Sequence, residues 1–429
     1  MVTAFIGVVL AICLFLGIPI FMSLSIPSFL ALDLFTSISV EVMVQRFFGG
    51  LDKFGLMAMP LFIFGAEIML QGGIARKLLD FTKYLVSWLP GGTAFTTHIA
   101  CLFFGALCGS SPATVAAIGG VMYPELRKDN YDEDFSVGLI SSSSAVALLI
   151  PPSVTMILYG VATGTSVGGL FVGGIGAGIA YSLVLSVYIL FWVMKKGDKT
   201  RQTISFKGFG RVALNAIPAM LIPVIILGGI YGGIFTPTEA AAVSTAFSIF
   251  VSLFIYKELT FKKLWTACVN SGIVCAQVLI LTSAAAALGW VLTVFKVPQN
   301  LAQGFLSTGA SQIVFLLFVN IIFLIAGMFM DGSGAVTLLA PLVYPIGLAM
   351  GVHPVHLGVL VTTNIAIGNM TPPVGLNLFV ANGVTGLPLT KIIKAVTPFL
   401  IAALIALALI SFVPEITLFL VRMAYPASF

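Results

Sequence analysis

The chain has 429 residues, of which 59% are hydrophobic and 8% are charged. A soluble domain carries roughly 25% charged residues, so the composition excludes one and indicates an all-α polytopic membrane protein. The formal net charge of +5 arises from loops assigned below to one side of the membrane, which excludes nucleic acid as the partner and leaves the lipid bilayer.

At roughly 20 residues per crossing, this length allows about ten to thirteen membrane segments. The stretch from Met1 to Leu10 has no basic residue ahead of its apolar run, so it reads as a first transmembrane helix rather than a cleaved signal peptide. Apolar segments lie at 3–23, 24–40, 54–72, 93–124, 136–161, 166–194, 212–235, 238–256, 264–295, 310–350, 357–381 and 395–421. In 166–194, Gly169, Gly173, Gly174 and Gly178 allow close helix packing. Cys13, Cys101, Cys108, Cys268 and Cys275 lie in apolar runs without CxxC spacing and read as small core residues.

Basic residues cluster at Lys195, Lys196, Lys199, Arg201, Lys207 and Arg211, and again at Lys257, Lys262 and Lys263. With the 195–211 loop cytoplasmic, all but Arg46, Lys53, Lys296 and Arg422 of the 20 Lys and Arg residues fall on that side. This threading requires 93–124 and 310–345 to be re-entrant hairpins. Both have a small polar break, Gly109-Ser110-Ser111-Pro112-Ala113-Thr114 in one and Asp331-Gly332-Ser333-Gly334 in the other.

The chain's only Pro-Pro pairs, Pro151-Pro152 and Pro372-Pro373, interrupt the segments that follow these hairpins. Proline removes an amide donor and clashes with the preceding turn, so each helix must open there. In hydrocarbon, opened backbone is tolerated only inside protein or beside a polar cavity. The hairpins end in Tyr123-Pro124 and Tyr344-Pro345, and Tyr-Pro and Pro-Pro both recur at a spacing of 221 residues. Arg127 and Lys128 follow the first Tyr-Pro, whereas His353 and His356 follow the second, placing the two on opposite faces. This is an inverted-topology repeat of 1–200 and 201–429, each half with one re-entrant hairpin and one broken transmembrane helix, as in secondary transporters.

Such breaks bring helix ends, backbone carbonyls and hydroxyls together. Carbonyl ends suit a hard cation, and amide ends suit an anion. The first expected cation site combines Ser110, Ser111 and Thr114 with the opened backbone from Ile150 to Ser153. The second combines Asp331, Gly332, Ser333 and Gly334 with Gly368, Asn369 and Thr371. A carboxylate substrate is expected between the tips, near Ser111, Pro112, Pro152, Ser153, Pro373 and Asn377. Each has a plainer alternative: the hydroxyls as packing groups at a helix crossing, Asp331 as a solvated loop acid. Ser141 to Ser144 and Asn364 either line the site or back-bond to helical carbonyls. Glu239 in Thr236-Pro237-Thr238-Glu239 reads as part of a capping box, and Glu67 reads as structural near an interface. His98, His353 and His356 are too scattered for a metal site and read as interfacial. Without a phosphate-binding Gly-rich loop or clustered midplane acids and histidines, the chain reads as neither an ATPase nor an enzyme.

These motifs, with Met59-Pro60-Leu61-Phe62-Ile63-Phe64-Gly65 and Phe235-Thr236-Pro237-Thr238-Glu239-Ala240-Ala241, give the chain a resemblance. It resembles the large, DctM-like membrane subunit of tripartite ATP-independent periplasmic (TRAP) transporters, within the ion transporter superfamily. The resemblance implies a multi-pass protein of the bacterial inner membrane that imports organic acids with Na+ by an elevator movement. It also implies a separate small membrane subunit of the Q type and a periplasmic substrate-binding protein of the P type. Family substrates include C4-dicarboxylates and sialic acid. The competing reading is a stand-alone sodium/carboxylate symporter or antiporter of the same superfamily.

Overall fold

The computed structural model describes residues 2–86, 88–196 and 206–426, with backbone only at 206–208. Lys199 and Arg201 of the basic loop, and the 200/201 repeat boundary, lie outside the described residues, as does the side chain of Lys207. The described structure is helical, and eight of its stretches are long and apolar enough to cross a membrane.

The chain opens with α1 (Val2–Phe15), α2 (Ile20–Phe35) and α3 (Val40–Gly49). The expected boundary at 23/24 is displaced: the turn lies at 16–19, where Gly17 takes a positive φ of 72° and Pro19 precedes α2. Next come α4 (Ala58–Gln71) and α5 (Ile74–Val86). Helix α5 was not expected from apolarity because it is amphipathic: Ile74, Leu78 and Phe81 are buried, while Arg76, Lys77 and Asp80 share its other faces. The first hairpin is α6 (Gly92–Cys108) with α7 (Ser111–Lys128). The first broken helix is α8 (Glu133–Ser143), a 3-10 turn over Ser144–Leu148, and α9 (Val154–Thr163). Long helices α10 (Val167–Lys196) and α11 (Phe206–Tyr231) follow, then α12 (Pro237–Phe250), which is extended by a π turn.

The second half holds α13 (Phe261–Val294) and short α14 (Val297–Ser307), then the second hairpin, α15 (Gln312–Phe329) with α16 (Gly332–Ala349). Its broken helix is α17 (Pro354–Gly368) and α18 (Leu376–Thr385). The segment expected at 395–421 is two helices, α19 (Leu389–Phe412) and α20 (Glu415–Ala424), divided at Pro414.

Ion pairs mark one membrane face and hydrogen bonds the other. On one face Lys83 meets Glu125 at 2.8 Å, Lys196 meets Asp132 at 2.6 Å, and Lys391 pairs with Glu133. That face therefore gathers the ends of α5, α7 and α10 and the starts of α8 and α19. Thr93 Oγ1 donates to Asp129 at 2.5 Å, closing the first hairpin's base there as well. On the opposite face Lys53 donates to the Val161 carbonyl at the end of α9 at 3.0 Å, and His356 Nδ1 lies 2.8 Å from Thr417 Oγ1 of α20. Helix α8 thus starts where α18 ends, and α17 starts where α9 ends. The two broken helices run in opposite directions, which is the inversion read from sequence. The half-exposed ion pairs contribute roughly 0–1 kcal/mol each, so they serve better as landmarks than as stabilisers.

Two expectations fail. His98 is buried among helices rather than interfacial, and Cys268 is exposed rather than a core residue; His356 lies near a membrane face, with its side chain buried. His353 does lie at a helix start: burial and Arg422 lower the pKa of its imidazole from the ordinary value, and its Nδ1 accepts from Val355 N at 3.2 Å. The capping box holds, with Glu239 accepting from Thr236 N at 2.8 Å.

Helices in lipid associate through close packing rather than through expulsion of water. The main core runs through both hairpins and both broken helices, while α1, α2, α3 and α13 share a separate core around Leu24, Leu32, Met43 and Leu288. Helix α10 presses on the first break, where a Cβ at Gly174 would lie 2.5 Å from the Leu149 carbonyl oxygen. Gly174→Ala is therefore expected to destabilise the protein by about 1–3 kcal/mol, read as a lower melting temperature in detergent. Gly228→Ala, where nothing lies within 4 Å, should leave it unchanged.

Candidate functional site

Each hairpin tip is a helix end followed by a helix start. At Gly109 the chain turns left-handed with φ 58°, and a Cβ there would lie 2.1 Å from the Pro152 carbonyl oxygen. The first tip therefore rests on the first break. Ser110 caps α7, accepting from Ala113 N at 3.5 Å, and its carbonyl accepts from Thr114 Oγ1 at 2.8 Å. Ser153 caps α9 by accepting from Met156 N at 3.4 Å. At the second tip Asp331 caps α16, accepting from Ser333 N at 3.1 Å and Gly334 N at 3.3 Å. Asp331 stands 221 residues after Ser110, so both second arms begin with a side-chain cap at the same register. The second tip is joined to its own break by Gly375 N donating to the Met328 carbonyl at 2.9 Å. Within that break Asn377 N donates to the Asn369 carbonyl at 2.9 Å, and Thr371 Oγ1 donates to the Ile367 carbonyl at 2.6 Å.

The halves also cross-connect. Ser111 at the first tip exchanges contacts with Asn377 on α18, at 2.7 Å to Nδ2 and 3.0 Å to Oδ1. Asn377 Nδ2 reaches the Ser141 carbonyl of α8 at 3.0 Å as well. In the mirrored position, Gly332 at the second tip abuts Thr155 on α9.

These elements surround a cavity of about 500 Å³. Its walls include the starts of α7, α9, α16 and α18 at Pro112, Val154, Gly332 and Leu376. They also include helix ends at Cys108, Leu148 and Asn369. The remaining wall is Ile63, Ala66, Glu67 and Leu70 of α4 with Val274, Gln277, Val278 and Leu281 of α13. No Lys or Arg stands among the described lining residues; the charged ones are Glu67 and Asp331. Helix starts present free amides to an anion, and helix ends present carbonyls to a cation.

Of the residues singled out from sequence, Ser110, Pro112, Asp331, Gly332, Ser333 and Asn369 line this cavity. The buried set Ser111, Thr114, Pro152, Ser153, Gly334, Gly368, Thr371 and Asn377 stands behind it, with half-buried Ile150; Pro373 is exposed on the break. The side chain of Asn377 is therefore spent joining the halves. Ser142 and Ser144 back-bond to the carbonyls of Gly138 and Ile140 at 2.7 and 2.8 Å, the plainer of their two readings. Glu67, read from sequence as structural near an interface, lines the cavity, as does Gln277, which the sequence reading passed over. The signal was present, because 63, 66, 67, 70 and 274, 277, 278, 281 each follow the spacing of one helix face.

A family model described as the DctM component of the tripartite ATP-independent periplasmic transporter matches residues 7–416. The chain belongs to this family. It is 39% identical to a C4-dicarboxylate TRAP transporter large permease protein DctM of Pseudomonas aeruginosa, over 90% of each chain. It is 34% identical to an ectoine TRAP transporter large permease protein, TeaC of Halomonas elongata, over 90% of each. It is also 34% identical to a sialic acid TRAP transporter large permease protein, SiaM of Vibrio cholerae, over 95% of each. The solved YdaH transporter of Alcanivorax borkumensis superposes with a TM-score of 0.61 at 16% identity over 86% of each chain, a likeness of fold alone. The protein is thus a multi-pass membrane transport subunit of the TRAP type and not an enzyme.

Replacing Asn377 with Leu in this TRAP permease strands Ser111 Oγ and removes a donor from the Ser141 carbonyl. The expected loss is about 1–3 kcal/mol for buried groups left unpaired, measured as a lower melting temperature in detergent.

Proposed function

We propose that the chain is the transport subunit of a sodium-coupled, binding-protein-dependent importer of an organic acid in a bacterial inner membrane. The observation that carries this reading is the cavity itself: helix starts and helix ends from both halves meet there without a Lys or Arg among the described lining residues. A carboxylate at such a site is held by helix amides, and its charge is offset by cations at the carbonyl ends. The sodium ligands we assign are Ser110 and Thr114 with the Ile150–Ser153 backbone, and Asp331 to Gly334 with Gly368, Asn369 and Thr371. Asn369 Oδ1, buried beside the cavity without a hydrogen-bond partner, supports a ligand on that side.

The hairpins and broken helices of 1–200 and 201–429 form the body that moves, and α4 and α13 belong to the scaffold it slides against, in an elevator cycle. A small Q-type subunit and a periplasmic substrate-binding protein complete the transporter, as the tripartite family description suggests. The relatives' names support an organic acid of the C4-dicarboxylate or sialic acid type.

The test is uptake by proteoliposomes holding the permease, the small subunit and the binding protein under an imposed sodium gradient, with labelled succinate and sialic acid. Uptake should require both sodium and the binding protein. Ser110→Ala and Asp331→Ala should each raise the sodium concentration for half-maximal uptake about tenfold, equivalent to about 1.4 kcal/mol, and Glu239→Gln should leave it within twofold. Undiminished uptake in choline contradicts the sodium assignment. Uptake without a binding protein favours the stand-alone symporter.

A further inference from the structure

Both hairpins are fastened at a second place, far from their tips and in the same way. In the first half, His98 on α6 stands between two helices: its Nδ1 lies 2.9 Å from Ser143 Oγ on α8, and its Nε2 lies 3.0 Å from Ser182 Oγ on α10. In the second half, Asn320 on α15 does the same. Its Oδ1 accepts from Asn364 Nδ2 on α17 at 2.8 Å, and its Nδ2 donates to Ser411 Oγ on α19 at 3.0 Å. All six side chains are buried. The first-arm residues are 222 apart in sequence and the broken-helix residues 221 apart, so these two members of each triad occupy corresponding places in the repeat, while Ser182 and Ser411 stand 229 apart on α10 and α19.

A second observation sits on the same pairs of helices. A Cβ built on Gly105 of α6 would lie 2.5 Å from Ala147 Cα, and one built on Gly368 of α17 would lie 2.6 Å from Gly327 Cα of α15. Gly105 and Gly327 are again 222 apart, and Ala147 and Gly368 again 221. In each half, then, the first hairpin arm crosses its broken helix backbone to backbone at one level and is bonded to it through polar side chains at another. Swinging either arm away would strand an imidazole or carboxamides in a low-dielectric interior, where unpaired polar groups are costly.

We infer that His98 and Asn320 are positioning residues that fix each hairpin to its broken helix, so that the hairpins ride with the moving body and neither opens as a gate. This rests on the transport reading given above. Substrate is released when the cavity wall made by α4 and α13 is withdrawn, with the two tips unchanged. Each residue sets the place of a tip without touching cargo.

Two measurements test this. In the reconstituted transporter, His98→Ala and Asn320→Leu should raise the sodium concentration for half-maximal uptake about fivefold, equal to about 1 kcal/mol. His98→Gln, which keeps a donor and an acceptor, should recover most of the shift. Uptake that falls only with the amount of folded protein, at unchanged sodium half-saturation, contradicts the positioning role. Independently, nitroxides are placed on the exposed positions Ile321 of α15 and Ile405 of α19, as Ile321→Cys and Ile405→Cys with exposed Cys268→Ser. Electron–electron resonance should give one distance distribution, the same with and without sodium and succinate. A second population displaced by about 5 Å or more, one helical turn, overturns the inference. If wild-type uptake proves independent of sodium, the sodium reading fails while the distance measurement still decides this one.

Discussion

The structure depends on one constraint: backbone opened at bilayer depth must find its partners inside the protein. Four interruptions, at the two tips and the two proline breaks, free amides and carbonyls in the same region. The partners come from within the same interruption or from the one that faces it. Gly375 N takes the Met328 carbonyl, Asn377 N takes the Asn369 carbonyl, and the Asp331 carboxylate takes the first amides of α16. Through Asn377, Ser111 and Ser141 the first tip is bonded to the second half's broken helix. Each break also meets the hairpin tip of its own half, at Gly109 and Pro152 in the first and at Met328 and Gly375 in the second, which explains why hairpin and broken helix recur together.

Some of this polarity remains available, and it faces one cavity. Its electrostatics favour coupling. An organic anion entering alone meets Glu67 and Asp331, two acids, and only the partial positive charge of helix starts. Cations at the carbonyl ends, as proposed, would cancel that repulsion, and the interaction would be strong in surroundings of low dielectric. A site with a fixed Arg would bind the acid with or without a coupling ion. In the proposed reading the ion becomes necessary here, and the same geometry suits transport better than permanent retention.

Much of this was legible in the sequence because membrane depth turns proline, glycine and short polar runs into punctuation. Pro151-Pro152, Pro372-Pro373, Ser110 and Asp331 located both breaks and both tips, and the 221-residue spacing paired them before any contact was known. Elements that are not apolar runs were missed: amphipathic α5, with Arg76 and Lys77 on its outer side, reads as a loop by hydropathy. The turn at Gly17 and Pro19 was placed several residues late because apolarity continues across it. Sequence also could not say which hydroxyls face the cavity. Ser110 and Ser111 are neighbours in a helix start, yet one lines the cavity and the other bonds to Asn377, a partner 266 residues away. Histidine was misjudged for a similar reason. His98 is tolerable in the core only because Ser143 and Ser182 stand on either side of it, and no local pattern announces them.

The most direct test of the central claim, that one cavity holds acid and sodium together, is thermal unfolding of the purified complex with its transported acid in sodium or in choline. A ligand that binds only the folded state raises the melting temperature by mass action. The account predicts that the acid stabilises the complex in sodium and has no effect in choline. Equal stabilisation in both salts would contradict it.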